Sequence, residues 1–135
     1  MDDSRSQYTI LEHTADLKLR ARGENFPDTL THLVGGLLDI LFETAPQGSR
    51  KSQRLVIEAW DRQSLVVNFL NELLYLVEED HIRPTGIRMI EVKDHGLTAT
   101  LEWQKLQELP AYDIKAATYH DLVVEDDIIE VIFDL

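Results

Sequence analysis

Three short runs of this sequence hold the residues whose types and spacing could do chemistry. The first is Glu12-His13-Thr14-Ala15-Asp16, two carboxylates and an imidazole around a break between extended stretches. Oxygen donors of that kind suit Mg²⁺, Ca²⁺ or Mn²⁺. The same run also reads as a solvated turn in which Thr14 or Asp16 bonds nearby backbone. The second run is Asp134-Leu135, where, with residue 135 as the natural end, a side-chain carboxylate is followed at once by the main-chain carboxylate. Two such charges repel unless a cation or a basic side chain lies between them. Ile128, Ile129, Val131, Ile132 and Phe133 should pin this segment in a sheet, and an anchored terminus can be a ligand where a frayed one cannot.

The third run is Lys115-Ala116-Ala117-Thr118-Tyr119-His120-Asp121. On a strand, Lys115, Ala117, Tyr119 and Asp121 share one face and Ala116, Thr118 and His120 the other. That pattern presents a Lys and a Tyr, or a His, to a site or partner, and it equally describes a plain half-buried strand. Glu72, beside Asn71 in an apolar helical stretch, lies at the margin of the stripe and suits a rim salt bridge or a site. A Gly-rich phosphate loop, a nucleophile elbow, a paired-histidine helix and a basic-aromatic RNA platform are all missing.

The elements that must position these residues follow from periodicity. Tyr8 to Leu11 and Leu17 to Arg22 read as strands ending at Gly23, the second alternating Leu17, Leu19 and Ala21 with Lys18, Arg20 and Arg22. Leu30, Leu33, Val34, Leu37, Leu38 and Leu41 recur at helical spacing behind caps at Asn25 and Asp28, predicting a helix over Pro27 to Phe42. Gly35-Gly36 within it suggest close packing. A strand carrying Leu55, Ile57 and Ala59 precedes a second helix, capped by Asp61 or Ser64, that runs to about Glu79 and is closed by Pro84-Thr85-Gly86. Strands Ile87 to Lys93 and Leu97 to Gln104 form a hairpin at Asp94-His95-Gly96. Ile114 to Val124 reads as one long strand and Ile128 to Phe133 as the last. The expectation is one α+β domain over residues 1–135, two layers, with two helices packed on one face of a largely antiparallel sheet.

At 135 residues and 44% apolar composition, one core is expected, folding without disulfides or a structural metal. Cysteine is absent, which excludes thiolate chemistry and fits a reducing compartment. No basic leader with an apolar run, and no stretch near the roughly 20 apolar residues of a membrane span, is present; a cytoplasmic protein without membrane contact is expected. With 25 acidic and 13 basic residues the formal charge is −12. A field of that sign repels a polyanion, so stable direct RNA binding is not expected. Any role in RNA metabolism would run through a protein partner.

Taken in order, Glu12 to Asp16, the first helix, Phe69 to Leu76, Lys115 to His120 and Ile132-Phe133-Asp134-Leu135 resemble the archease family along nearly the whole chain. The resemblance implies a small α+β accessory protein of RtcB-type RNA ligases in tRNA splicing and tRNA processing, an activator of guanylylation and multiple turnover that is not itself an enzyme. It implies a divalent metal site of Asp16, Asp134 and the carboxylate of Leu135, with His13 as a neighbour. Lys115, Tyr119, His120 and Glu72 remain candidates for site or partner contact. Two other classes fit the same residues. One is a metal-dependent hydrolase with Asp16 and Asp134 as ligands and His13 or His120 as general base. The other is a chaperone-like interaction protein, whose sign would be an exposed apolar patch.

Overall fold

The computed structural model describes residues 7–12 and 16–135, Glu12 by its backbone alone. Its order is β1 (Tyr8–Glu12), β2 (Asp16–Arg22), α1 (Phe26–Leu41), β3 (Lys51–Glu58), α2 (Arg62–Glu78), β4 (Ile82–Lys93), β5 (Gly96–Lys105), β6 (Ala116–Ala117), β7 (Val123–Val124) and β8 (Ile128–Asp134). The α+β class and the antiparallel pairing are as expected. The strands divide between two sheets: β1-β2-β8-β6, with β7 also on β8, and β3-β5-β4. Both helices bridge them, α1 packing on β2 and β4, and α2 on β3, β4, β6 and β7.

Local chemistry sets the helix ends. Asn25 caps α1 by accepting the Asp28 N–H at 2.9 Å, while Asp28 accepts the Glu24 N–H at 2.9 Å. The first bond satisfies a backbone donor that the opening helical turn leaves free, and the second ties down the residue before the cap. Asp61 caps α2 through the Ser64 N–H at 2.7 Å, and that bond lowers the Asp61 pKa from its ordinary value. Leu30, Leu33, Leu37, Phe69, Leu70 and Leu73 point into the core at 1% exposure or less. Gly36 is there for closeness: a Cβ would lie 2.9 Å from the Tyr8 ring and 3.0 Å from Leu19.

Two expectations are corrected. Pro84-Thr85-Gly86 does not terminate α2 but lies inside β4, with a register shift between Pro84 and Gly86. Because β4 is an edge strand, the missing proline N–H costs it no ladder bond, and a bulge absorbs the irregularity. The stop comes earlier, at His81, whose φ is 53°. Second, Ile114 to Val124 is not one strand. Only Ala116–Ala117 and Val123–Val124 pair with β8, separated by a turn in which Asp121 has φ 48°.

Most consequential for the site is the place of β8. It lies inside its sheet, with β2 on one side and β6 and β7 on the other. Ile129, Val131 and Phe133 are fully buried. The chain's end is thereby anchored, as its apolar content predicts.

Candidate functional site

The β2–β8 register pairs Asp16 with Asp134, Lys18 with Ile132 and Arg20 with Glu130. Leu17, Leu19 and Ala21 of β2 and Ile129, Val131 and Phe133 of β8 face the helices, so the aspartates share the opposite face. Residues directly opposed in an antiparallel pair have Cβ atoms about 5 Å apart, and like charges there are destabilising. The fold thus places two carboxylates side by side at one end of a sheet.

The neighbours on that face hold opposite charge. Arg20 donates from Nε to Glu130 Oε1 at 2.9 Å, its Nη2 also lies 2.9 Å from that oxygen, and Lys18 Nζ sits 3.5 Å away. Burial pushes the Glu130 carboxyl up, but the hydrogen bond and charge of Arg20, with Lys18, outweigh it and leave its pKa below the ordinary value. The Asp134 carboxylate makes no hydrogen bond or ion pair with any described residue.

A second layer fixes the terminal segment. Lys115 donates its N–H to Asp134 O at 2.9 Å, and Thr118 donates its N–H at 3.0 Å and its hydroxyl at 2.8 Å to Ile132 O. Behind β6, the Asn71 amide grips both backbone polar groups of one residue. Its Oδ1 accepts the Ala117 N–H at 2.7 Å and its Nδ2 donates to Ala117 O at 3.3 Å. An asparagine inside a helix is thus the tie between α2 and the strand flanking Asp134.

The structure joins some candidates and separates others. Asp16, Asp134 and the backbone of Lys115 converge, with Leu135, 37% exposed, directly following. Tyr119 points elsewhere, its hydroxyl 3.1 Å from Ser64 Oγ. His120 is exposed, 3.5 Å from its neighbour Asp121. Glu72 is half-buried and makes no hydrogen bond or ion pair with a described residue; it was Asn71 beside it that mattered. His13 lies outside the described residues.

The donor set suits a hard cation. Paired carboxylate oxygens from opposed positions are the ligand type that Ca²⁺, Mn²⁺ and Mg²⁺ take. Among the described residues no group of three or more His, Asp or Glu side chains converges, so the pair needs further donors to complete a site.

A feature that sequence reasoning missed lies at the other sheet. Val56, Trp60, Asn68, His95, Thr98 and Tyr119 line an open cleft of about 690 Å³. Trp60 is 85% exposed and meets His95 edge-on at 5.3 Å between ring centroids, and Val56 is 58% exposed. The available signal was a tryptophan at the strand-to-helix junction, outside any apolar periodicity.

The comparisons with known proteins agree with this architecture. Residues 8–135 match the model of the Archease protein family. A protein archease from Methanosarcina barkeri is 29% identical over 131 residues, covering 92% of this chain and 90% of that one. A protein archease from Thermococcus gammatolerans is 28% identical over 122 residues, covering 84% of each. Among solved structures, the solution structure of a Methanobacterium thermoautotrophicum protein superposes with a TM-score of 0.66 at 23% identity, covering 96% of this chain and 99% of that one. The crystal structure of an archease, possible chaperone, from Thermotoga maritima gives 0.56 at 19% identity, covering 93% and 94%. These two likenesses establish the fold.

Proposed function

Because the chain belongs to the archease family, we propose that it is an accessory protein of an RtcB-type RNA ligase in tRNA splicing and RNA repair, acting in the cytoplasm. Its role is to promote guanylylation of the ligase and repeated turnover. The observation that supports this reading is the register pair Asp16–Asp134 at an anchored end of the sheet. With the carboxylate of Leu135, these residues would hold a divalent cation, which when bound supplies positive charge to the phosphates of a nucleotide or RNA end. The protein's own contribution is to fix two donors on rigid neighbouring strands and keep β8 from fraying. An acidic domain, at −12, complements the basic surface a ligase needs for RNA.

The test mixes the purified protein with an RtcB-type ligase, GTP and Mn²⁺ and measures guanylylation and multiple-turnover joining. Stimulation that is lost in Asp16→Ala and Asp134→Ala, with the fold retained, is expected. No stimulation across Mn²⁺, Mg²⁺ and Ca²⁺ would refute the role. A chain carrying residues beyond Leu135 turns its carboxylate into an amide, and full activity of that chain would remove Leu135 from the donors.

A second reading has its own observation. The Trp60 cleft is an exposed apolar surface of the kind an interaction protein uses, and the Thermotoga maritima relative is described as a possible chaperone. Suppression of aggregation of an unrelated unfolded protein, lost in Trp60→Ala, would favour it. A metal-dependent hydrolase on the same aspartates would need a concave pocket around them; the principal clefts are lined by other residues.

No helix among the described residues is long and apolar enough to cross a membrane.

A further inference from the structure

We propose that Glu130 is a positioning residue for the aspartate pair, holding the Lys18 ammonium away from Asp134 so that the Asp134 carboxylate stays available to a divalent cation. The inference rests on the reading of Asp16 and Asp134 as cation donors.

Lys18 stands opposite Ile132, which makes Glu130 and Asp134 its two diagonal neighbours across the strands. Diagonal positions lie about 7–8 Å apart, within reach of a long side chain, so Lys18 can turn to either carboxylate. It is also two residues from Asp16 on the same face. The structure shows which way it turns: Nζ is 3.5 Å from Glu130 Oε1. Glu130 is itself held, because Arg20, directly opposite, places both Nε and Nη2 at 2.9 Å from that oxygen. The glutamate is also well covered, its side chain 12% exposed.

Without Glu130, the carboxylates left beside Lys18 on this face among the described residues are Asp16 and Asp134. An ammonium there acts as an internal counter-cation. It offsets the negative charge that Asp134 would offer a metal, and a divalent ion must then displace it. Arg20 does not share this role. It lies four residues along the strand from Asp16, about 13 Å, beyond the screening length at physiological salt. Three residues therefore act in series: Arg20 fixes Glu130, Glu130 engages Lys18, and Asp134 keeps its charge uncompensated.

The test is Mn²⁺ affinity by titration calorimetry on the full chain, with circular dichroism confirming the fold of each variant. Glu130→Gln should weaken Mn²⁺ binding about tenfold and Lys18→Gln should strengthen it about threefold, as expected for one charge moved within a few ångströms of the site. In the Lys18→Gln background, Glu130→Gln should cost no more than about threefold, because the group it restrained is gone. Equal losses in both backgrounds would show Glu130 to be a plain distant charge and overturn the inference. Unchanged affinity in Glu130→Gln, with binding still abolished by Asp134→Asn, would overturn it while leaving the aspartates as donors. Wild-type protein that binds no Mn²⁺, or binds it equally well as Asp134→Asn, would overturn the donor reading and this inference together.

Discussion

Asp16 and Asp134 are directly opposed across the β2–β8 ladder, so two carboxylates from remote parts of the sequence share one face and one end of a sheet. Such a pair is unfavourable for the bare fold, by about 0.2–1 kcal/mol on the scale of cross-strand interactions. Asp134→Asn should therefore raise the melting temperature slightly in chelator. It should also abolish any rise that Mn²⁺ gives the wild type, since a ligand stabilises only a state that binds it. Thermal scans with EDTA and with Mn²⁺ make the comparison. A variant no more stable than wild type in chelator would show that the two charges are already compensated.

Asn71 holds the strand beside Asp134 through both polar groups of Ala117. Asn71→Ala leaves the Ala117 N–H and C=O without their side-chain partners and should cost about 1–3 kcal/mol. Urea unfolding measures the loss, and hydrogen exchange at Ala117 should rise more than in β5. A uniform increase across the chain would refute the local tie.

Gly35 and Gly36 are neighbours with opposite demands. Alanine at Gly36 would press its Cβ into the Tyr8 ring and Leu19, and should destabilise by about 1–3 kcal/mol. At Gly35 nothing lies within 4 Å of the added carbon. Gly35→Ala should stabilise by about 0.5–1 kcal/mol through the helix backbone alone. Denaturation midpoints of the two variants should move in opposite directions.

Tyr8 donates its hydroxyl to Asp39, and that bond, with burial and the aspartate's charge, pushes the phenol up to about 12. A raised folded-state value means the neutral phenol is favoured by folding. Its contribution is complete below the ordinary value of 10.0 and is lost as pH rises from there through about 12. Tyr8→Phe should thus narrow its stability gap to wild type across that alkaline window. A gap of constant size would sink the assignment.

How much of this was legible in the sequence depends on the range of the cause. The helices and their caps rest on spacing and on side chains within a turn of one another, so Asn25, Asp61 and the leucine stripes announced α1 and α2 within a residue or so at each end. The division into two sheets had no local signal, since Leu55, Ile57, Leu97 and Leu101 look the same whichever sheet they complete. Pro84 misled because proline ends a helix or interrupts an edge strand with equal ease, and only the neighbouring strand decides between them. The Lys115 run misled because alternation over a few residues cannot separate one strand from two pairs around a left-handed Asp121. Asp16 and Asp134 were each visible as acids, but their adjacency is a fact of register. The Glu130 contacts were invisible for the same reason.

The internal place of β8 also governs when the domain can form. Arg20 and Glu130 meet from positions 110 residues apart, so β2 gains its inner neighbour only once the chain has been made as far as β8. Until then the apolar side of β2 lacks the strand that completes its sheet. Long-range pairing of this kind is also slow once the chain is free. Loss of the β8 residues would therefore remove the middle of a sheet rather than its margin, and would cost the fold and not the aspartate pair alone.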